Sequence, residues 1–453
     1  MKFNREIIRK YDIRGRVEQD LTPDAVRRLG WALGGLARGG VLAVGRDCRP
    51  SGERLFSDLA AGASARGCRI ADLGMQTTPM TYFAAHRLDP DATVMITGSH
   101  NPPEYNGFKI MKGRTGLWGP DLETLGDEME RAVFTPVVPE MERISVREDY
   151  LDRLRAEFTA SRSLKVVVDP GNGTGGDCAV AILEELGHRV VPLFCEPDGT
   201  FPHHHPDPTV LENLEHLRET VIREKADLGI AFDGDADRLG LVDERGGVIF
   251  GDRILCVLAG GVLKANPGAV IISEVKASRV FFQEMERLGG RAVMVPTGHT
   301  VIKEAMAREN ALLAGEMSGH IFFRDRYFGY DDALYAALRF LEIAGEAPGP
   351  VSSLTAHLPG TFTTPEIRED CPDRLKFRII EAAGEILRSR GVEFSGIDGV
   401  RASFPGGWGL VRASNTQPVL VMRFEAETSE QLAEYETYMR DVLREAGRVC
   451  DVQ

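Results

Sequence analysis

Three aspartates at alternate positions, in Phe232-Asp233-Gly234-Asp235-Ala236-Asp237-Arg238, form the grouping in this chain most able to do chemistry. Spaced by two in an extended loop, their carboxylates can turn toward one point. Left to themselves they repel, and a cation between them removes that cost. Oxygen ligands without His or Cys suit Mg²⁺ or Ca²⁺ rather than zinc. Arg238, directly after the third acid, supplies a guanidinium shaped for a phosphate. A solvated acidic turn is the plain alternative and a calcium EF-hand the sharper one, because Glu244 falls at loop position twelve. Position six of that loop requires glycine, however, and here it is Arg238; strand-like runs rather than helices flank the loop. The residues point to a Mg²⁺ and phosphate site.

The elements that must hold this loop are the apolar runs at 228–231 and 239–242, which read as strands around a tight connection. The pattern around them recurs. Segments 41–74, 164–194 and 269–296 each run strand, polar or Gly-rich loop, helix, glycine, strand. Continuous apolar strands alternating with helices that stop at glycine predict βαβ units around a buried, largely parallel sheet. Three similar α/β domains follow, at 1–150, 151–251 and 252–363. From 364 to 453 the pattern changes to a helix at 373–390, short strands near 400–404, 410–413 and 419–425, and a last helix at 429–446. That order predicts a fourth domain of α+β type.

The chain is long enough, at 453 residues, for several cores, and 43% apolar with 27% charged residues describes an ordinary globular protein. A formal charge of −14 argues against nucleic acid or an acidic membrane as partner, so any anionic ligand must be drawn in by local arginines and lysines. Seven cysteines without a C-x-x-C pair, an N-terminus without an apolar signal core, and no run longer than 254–263 to suggest a membrane span predict a cytoplasmic protein.

Five further motifs could do chemistry. Thr97-Gly-Ser99-His100-Asn-Pro follows a strand, so Ser99 is either presented to a cleft or part of a hydrogen-bonded turn. A histidine adjacent in sequence is not expected to face back onto the serine, and Lys109 could supply charge or, if desolvated, a base. Gly171-Asn-Gly173-Thr-Gly175-Gly176, with Glu196 beyond it, fits a dinucleotide fingerprint or a glycine turn that lets a helix pack closely. Arg412-Ala-Ser414-Asn415-Thr416 is a phosphate clamp or a polar hairpin loop. In Gly315-Glu316-Met317-Ser318-Gly319-His320, Glu316 and Ser318 could hold sugar hydroxyls and His320 could move protons or simply be packed; Thr297-Gly-His299 is ambiguous in the same way. The tract His203-His204-His205 is read as surface or capping residues without a metal.

Taken together, Tyr11-Asp-Ile-Arg14-Gly, Thr97-Gly-Ser-His-Asn-Pro, Asp233-Gly-Asp-Ala-Asp-Arg, Gly315-Glu-Met-Ser-Gly-His and Arg412-Ala-Ser-Asn-Thr resemble the α-D-phosphohexomutase family over essentially the whole chain, most closely its bacterial phosphomannomutase/phosphoglucomutase branch. The resemblance implies four domains in a heart shape, three alike and one similar to TATA-binding protein, with one loop from each reaching a central cleft. It implies that Ser99 carries a phosphate, and that Asp233, Asp235 and Asp237, with an oxygen on Ser99, bind one Mg²⁺. Arg238 would contact the same phosphate; Lys109, His320 and Arg14 would serve acid/base and transition-state roles. Tyr11, Lys276, His299, Glu316 and Ser318 would line the sugar site, and Arg412, Ser414, Asn415 and Thr416 would grip the phosphate not being transferred. The implied reaction interconverts hexose 1- and 6-phosphates through a 1,6-bisphosphosugar, with glucose 1,6-bisphosphate or an equivalent as activator, in a monomer or weak homodimer. Met317 favours mannose and glucose over glucosamine phosphates. Phosphoglucosamine mutase is the nearest alternative, and a nicotinamide-dependent dehydrogenase using the 171–176 loop is the alternative from another class.

Overall fold

The apolar runs at 92–96 and 228–232 become fully buried strands, and chemistry-bearing residues follow where parallel strands end. The structure, a computed structural model, describes residues 3–135, 137–414 and 418–451. It divides into two units, Met1–Gly261 with Ser318–Thr355, and Val262–Met317 with Ala356–Gln453.

The first unit holds two sheets. In one, β1 (Ile13–Arg16), β2 (Val41–Arg46), β3 (Arg69–Met75), β4 (Ala92–Ile96), β5 (Tyr105–Lys112), β6 (Thr115–Gly116) and β7 (Met141–Arg143) lie in the order β1-β5-β4-β2-β3-β7, with β6 on β5. Strand β2 runs parallel to β3 and β4, while β5 returns antiparallel to β4. Leu42, Val44, Val94 and Ile96 of these strands are fully buried beside Leu55 and Leu59 of the helix Gly52–Ser64, each such side chain stabilising the fold by about 1.5–3 kcal/mol. The helix Arg147–Glu157 runs across residue 150, where the sequence reading divides two domains.

The second sheet has β8 (Lys165–Asp169), β9 (Arg189–Pro192), β10 (Leu228–Phe232), β11 (Leu239–Asp243) and β12 (Val248–Ile249) in the order β12-β11-β10-β8-β9. Strands β8, β9 and β10 are parallel, but β11 and β12 are antiparallel, so this sheet is mixed rather than largely parallel. The reason is the connection 233–238, with Phe232 paired to Leu239, which is too short for a parallel crossover. The same unit carries β16 (Ile321–Phe323) and the buried helix Ala333–Glu346.

In the second unit, β13 (Val270–Glu274) pairs in parallel with β14 (Arg291–Val295) and β15 (Leu313–Gly315). An antiparallel sheet follows, built from β17 (Phe362–Thr363), β18 (Ile367–Asp370), β19 (Phe394–Ser395), β20 (Val400–Phe404), β21 (Gly407–Ala413) and β22 (Val419–Ala426), with β21 and β22 central. Helices Asp373–Ser389 and Ser429–Asp451 share a core with Val411, Met422 and Phe424 on one face, while Trp408 and Leu410 pack against Val275. The last helix passes the expected end at 446, because Ala446 and Cys450 continue its buried stripe. No helix among the described residues is long and apolar enough to cross a membrane.

Candidate active site

Ser99 and the aspartate loop leave the C-terminal ends of β4 and β10, each flanked by a parallel neighbour, which is where open α/β sheets present their ligands. Ser99 adopts a left-handed φ of 51°, a conformation that costs a residue bearing a Cβ about 1–2 kcal/mol. Its Oγ donates to Asp233 Oδ2 at 2.7 Å. The adjacent His100 does face back, contrary to expectation: its Nδ1 lies 3.2 Å from the same Oγ, because the left-handed backbone turns both side chains to one side. This is not a Ser-His-Asp relay, since Asp233 bonds the hydroxyl rather than the imidazole. Burial, with Arg238 and Arg14 nearby, holds His100 well below the ordinary histidine range and therefore neutral.

The three aspartates are fully buried, and their ligand atoms all lie within 4.8 Å of one another. Asp233 Oδ1 accepts the amides of Asp237 and Arg238, closing the loop. Lys109, on β5, donates to Asp235 at 2.7 Å and Asp237 at 2.5 Å. Burial works against the lysine charge, yet Asp235 and Asp237 outweigh it and raise Lys109 well above its ordinary range. Burial likewise opposes ionisation of Asp235, but Lys109 and the Thr78 hydroxyl hold that carboxyl below its usual range. Asp233 goes the other way, pushed well above the carboxylate range by burial and by the two neighbouring acids.

A bracing layer that the sequence reading missed holds both loops. Arg49, its side chain fully buried, donates to the carbonyls of Ser99, Asn101, Pro102 and Tyr105 and pairs with Asp47 at 3.2 Å. Asp47 in turn accepts the Thr97 hydroxyl and the Gly98 amide. The available signal was an Asp-x-Arg just beyond β2, the neighbour of β4. At Gly234 a Cβ would stand 2.6 Å from the Ser99 carbonyl oxygen, so glycine is what lets the two loops meet. The 171–176 glycines serve the same purpose: a Cβ at Gly173 would meet Gly234 O at 2.7 Å, one at Gly176 would meet Cys195 O at 2.7 Å, and the Thr174 amide donates to Gly234. That loop packs onto the aspartate loop, in keeping with the close-packing reading of its glycines rather than the dinucleotide one. His204 is likewise held inward, 3.1 Å from Asp169, rather than lying free on the surface.

His320 joins this cluster. Its Nδ1 lies 3.1 Å from the Asp237 carbonyl and 3.1 Å from Asp331 Oδ2, and its Nε2 lies 3.1 Å from Arg238 Nε. With acceptors at Nδ1 and a donor at Nε2, the ring carries its proton on Nδ1 and has its lone pair on Nε2. Asp331, fully buried, was not picked out from sequence. Arg14 bonds Asn101 at 3.1 Å and Asp12 at 2.5 Å, placing it beside the serine loop, and Tyr11 stacks on Trp118. Ser318 is half-buried in this unit, next to Gly319, whose carbonyl accepts the Leu239 amide.

The second unit gathers a different set at the ends of β13, β15 and β21. Glu274, fully buried, accepts the amides of Lys276 and Met317 and the Thr297 hydroxyl; burial, with Glu316 adding to it, raises its carboxyl above the usual range. Glu316 accepts the Gly298 amide at 3.1 Å, and His299 lies 3.5 Å from Lys303. Lys276 pairs with Glu366 at 3.4 Å and Arg412 with Asp398 at 3.0 Å. Burial opposes ionisation of Glu366, but Lys276 and Arg368 bring it down to about 2. Ser414 is buried, and its carbonyl accepts Lys376 Nζ at 2.6 Å. Asn415 and Thr416 lie outside the described residues.

Four family models match in order, the phosphoglucomutase/phosphomannomutase alpha/beta/alpha domains I, II and III at residues 5–134, 148–247 and 250–362 and the C-terminal domain at 366–442. The chain belongs to the phosphoglucomutase/phosphomannomutase family. It is 45% identical to a phosphomannomutase/phosphoglucomutase of Pseudomonas aeruginosa, over 97% of this chain and 95% of the relative. It is 42% identical to a phosphoglucomutase of Neisseria gonorrhoeae, over 97% of both. A crystal structure of a family protein from Burkholderia thailandensis superposes with a TM-score of 0.92 at 38% identity, covering 98% of each chain.

Proposed function

We propose that this protein is a phosphohexomutase that interconverts the 1- and 6-phosphates of glucose and mannose through a phosphorylated Ser99 and a 1,6-bisphosphosugar. The observation that carries the reading is the 2.7 Å hydrogen bond from Ser99 Oγ to Asp233 inside a buried carboxylate triad, with Arg238 and a lone-pair-bearing His320 Nε2 beside it. The four-domain division at 150, 251 and 363 belongs to the same proposal.

The triad suits a hard divalent ion. Asp235 Oδ1 and Asp237 Oδ1 are buried without a hydrogen-bond partner, and the donors are all carboxylate oxygens. Asp233, Asp235, Asp237 and an oxygen on Ser99 would hold one Mg²⁺, which when bound supplies positive charge against the transferring phosphoryl group. The chain's own residues do the rest. Phosphoryl transfer depends on positioning and charge stabilisation more than on covalent help from the protein. As the bond from Ser99 Oγ to phosphorus breaks, a sugar hydroxyl oxygen bonds to phosphorus and its proton passes to His320 Nε2, whose lone pair is freed as Arg238 turns its Nε–H onto the phosphoryl group. Arg238 and Arg14 stabilise the phosphoryl oxygens. Lys109, held cationic by its two aspartates, serves as fixed charge rather than as base. The second transfer returns the other phosphate of the bisphosphosugar to Ser99.

Lys276, His299, Glu316, Ser318 and Tyr11 are assigned to the sugar, and Arg412, Ser414, Asn415 and Thr416 to the phosphate that stays. Seven free cysteines support a reducing, cytoplasmic setting, and a monomer or weak homodimer is the proposed state. A coupled assay with Mg²⁺ and a trace of glucose 1,6-bisphosphate tests the reading. Comparable turnover of glucose 1-phosphate and mannose 1-phosphate is expected; turnover of glucosamine 1-phosphate alone would move the protein to the glucosamine branch.

A further inference from the structure

Asp398 carries no assigned role, yet one of its oxygens joins two segments assigned to ligand binding. Oδ2 accepts Arg412 Nε at 3.0 Å and the backbone amide of Thr297 at 3.2 Å. The next amide in that turn, Gly298, donates to Glu316 at 3.1 Å. The turn holding Asp398 is pressed against the strand holding Arg412: a Cβ at Gly399, whose φ is +84°, would stand 2.3 Å from Val411 O and 2.7 Å from Arg412 Cα. The carboxylate therefore has little freedom to swing away, and it is only 14% exposed.

We infer that Asp398 is a positioning residue of the phosphate clamp, fixing Arg412 and coupling it to the turn that orients Glu316; the inference rests on the mutase reading above. A guanidinium gripped at Nε keeps two further nitrogen groups as donors, the pair that matches phosphate oxygens. Without Asp398 the arginine gains rotamer freedom that a bound phosphate must then remove. The amides of Thr297 and Gly298 are adjacent, so the same loss loosens the seat of Glu316. The device suits a clamp that must take a phosphate at either end of the sugar, because it fixes the arginine and makes no demand on the ring.

The test is a kinetic and binding comparison of Asp398→Ala, Asp398→Asn and Arg412→Ala. For Asp398→Ala, KM is expected to rise about ten- to a hundred-fold for hexose 1-phosphate and by the same factor for hexose 6-phosphate, the loss typical of a hydrogen bond to a charged group. The change in kcat is expected to be much smaller, and Asp398→Asn, which keeps an acceptor without the charge, should fall between the wild type and Asp398→Ala. In the double variant Asp398→Ala/Arg412→Ala the affinity should match that of Arg412→Ala alone, because one acts through the other. Effects that multiply, or a fall in kcat with KM unchanged, would overturn the inference. Calorimetric titration of glucose 6-phosphate in a Ser99→Ala background separates the two readings. If the ligand binds and Asp398→Ala weakens it while the wild type shows no mutase turnover, the mutase reading fails and the inference stands. Unchanged binding in a folded Asp398→Ala or Asp398→Asn protein overturns the inference with the mutase intact. No hexose phosphate binding by the wild type overturns both.

Discussion

In the first unit Asp233, Asp235 and Asp237 face Lys109, with Arg238 4.0 Å from Asp233, whereas in the second unit Lys276 and Arg412 each face a carboxylate of their own, Glu366 and Asp398. The first arrangement is short of positive charge. Its acids are fully buried, one is pushed toward its neutral form, and two carboxylate oxygens have no hydrogen-bond partner. Such a cluster is costly to assemble and is stabilised by a metal and by transferring charge. The two pairs of the second unit are balanced as they stand: on the proposed reading Asp398 holds the arginine that a phosphate uses, and Glu366 holds the lysine assigned to the sugar. On the proposed reading the difference separates chemistry from grip: the first region favours a transition state and the second holds the ligand.

The largest expected effect tests that separation directly. Ser99→Ala should lower mutase turnover by about 10⁴-fold or more, the scale of losing a nucleophile. It should also remove a phosphate-sized adduct from the intact mass. Arg412→Ala should instead act mainly on KM, by about ten- to a hundred-fold, with kcat nearly retained. If Arg412→Ala lowers kcat as far as Ser99→Ala does, or the adduct persists in Ser99→Ala, the division of labour between the units is wrong.

The next effect concerns charge shortage. Titrating Mg²⁺ into chelator-treated protein should raise its thermal midpoint, with about 2.7 kcal/mol of stabilisation at a hundred times the dissociation constant. Asp235→Asn should abolish that gain, and Glu366→Gln in the second unit should leave it intact. A Mg²⁺ response that survives Asp235→Asn would place the ion elsewhere.

The regions also differ in how plainly they can be read from sequence. The three aspartates stand in one short contiguous motif, so type and spacing pointed to a cation site, whereas for Ser99 and Arg412 type and spacing left a site and a polar turn both open, and the resemblance supplied the roles proposed for them. The two hairpin strands around 233–238 were legible as apolar runs, though their antiparallel pairing follows only from the length of the loop. Asp398 and Arg49 are single charged residues with partners far along the chain: Thr297 is 101 residues from Asp398 and Ser99 is 50 from Arg49. Spacing carries no trace of such long-range pairs, although Asp47 two residues before Arg49 hinted at a local one. His100 was misjudged because a positive φ at Ser99 reverses the usual divergence of adjacent side chains. The 171–176 glycines were legible as close approach, but not as approach to Gly234.

The smallest effect is a difference in the sign of pH dependence. Glu366 has its folded-state pKa lowered from 4.5 to about 2, with Lys276 and Arg368 overcoming burial. A depressed carboxyl contributes stability that is present above its unfolded pKa and is lost as pH falls toward the folded one, here from 4.5 down to about 2. The full shift would be worth about 3 kcal/mol, and with the side chain partly open to solvent screening leaves about 1–2 kcal/mol. Asp233 has the opposite sign. Its raised pKa means that the folded state holds the proton more tightly, so in chelator its contribution falls as pH rises above the ordinary carboxylate value of 3.8. Urea midpoints of wild type and Glu366→Gln, compared in chelator, should differ most near pH 7 and converge as pH drops below 4.5, with a smaller gap in high salt. For Asp233→Asn the gap should instead favour the variant at pH 7 and close toward acid. If both substitutions shift the midpoint in the same direction at every pH, the two regions manage charge alike and the contrast between them fails.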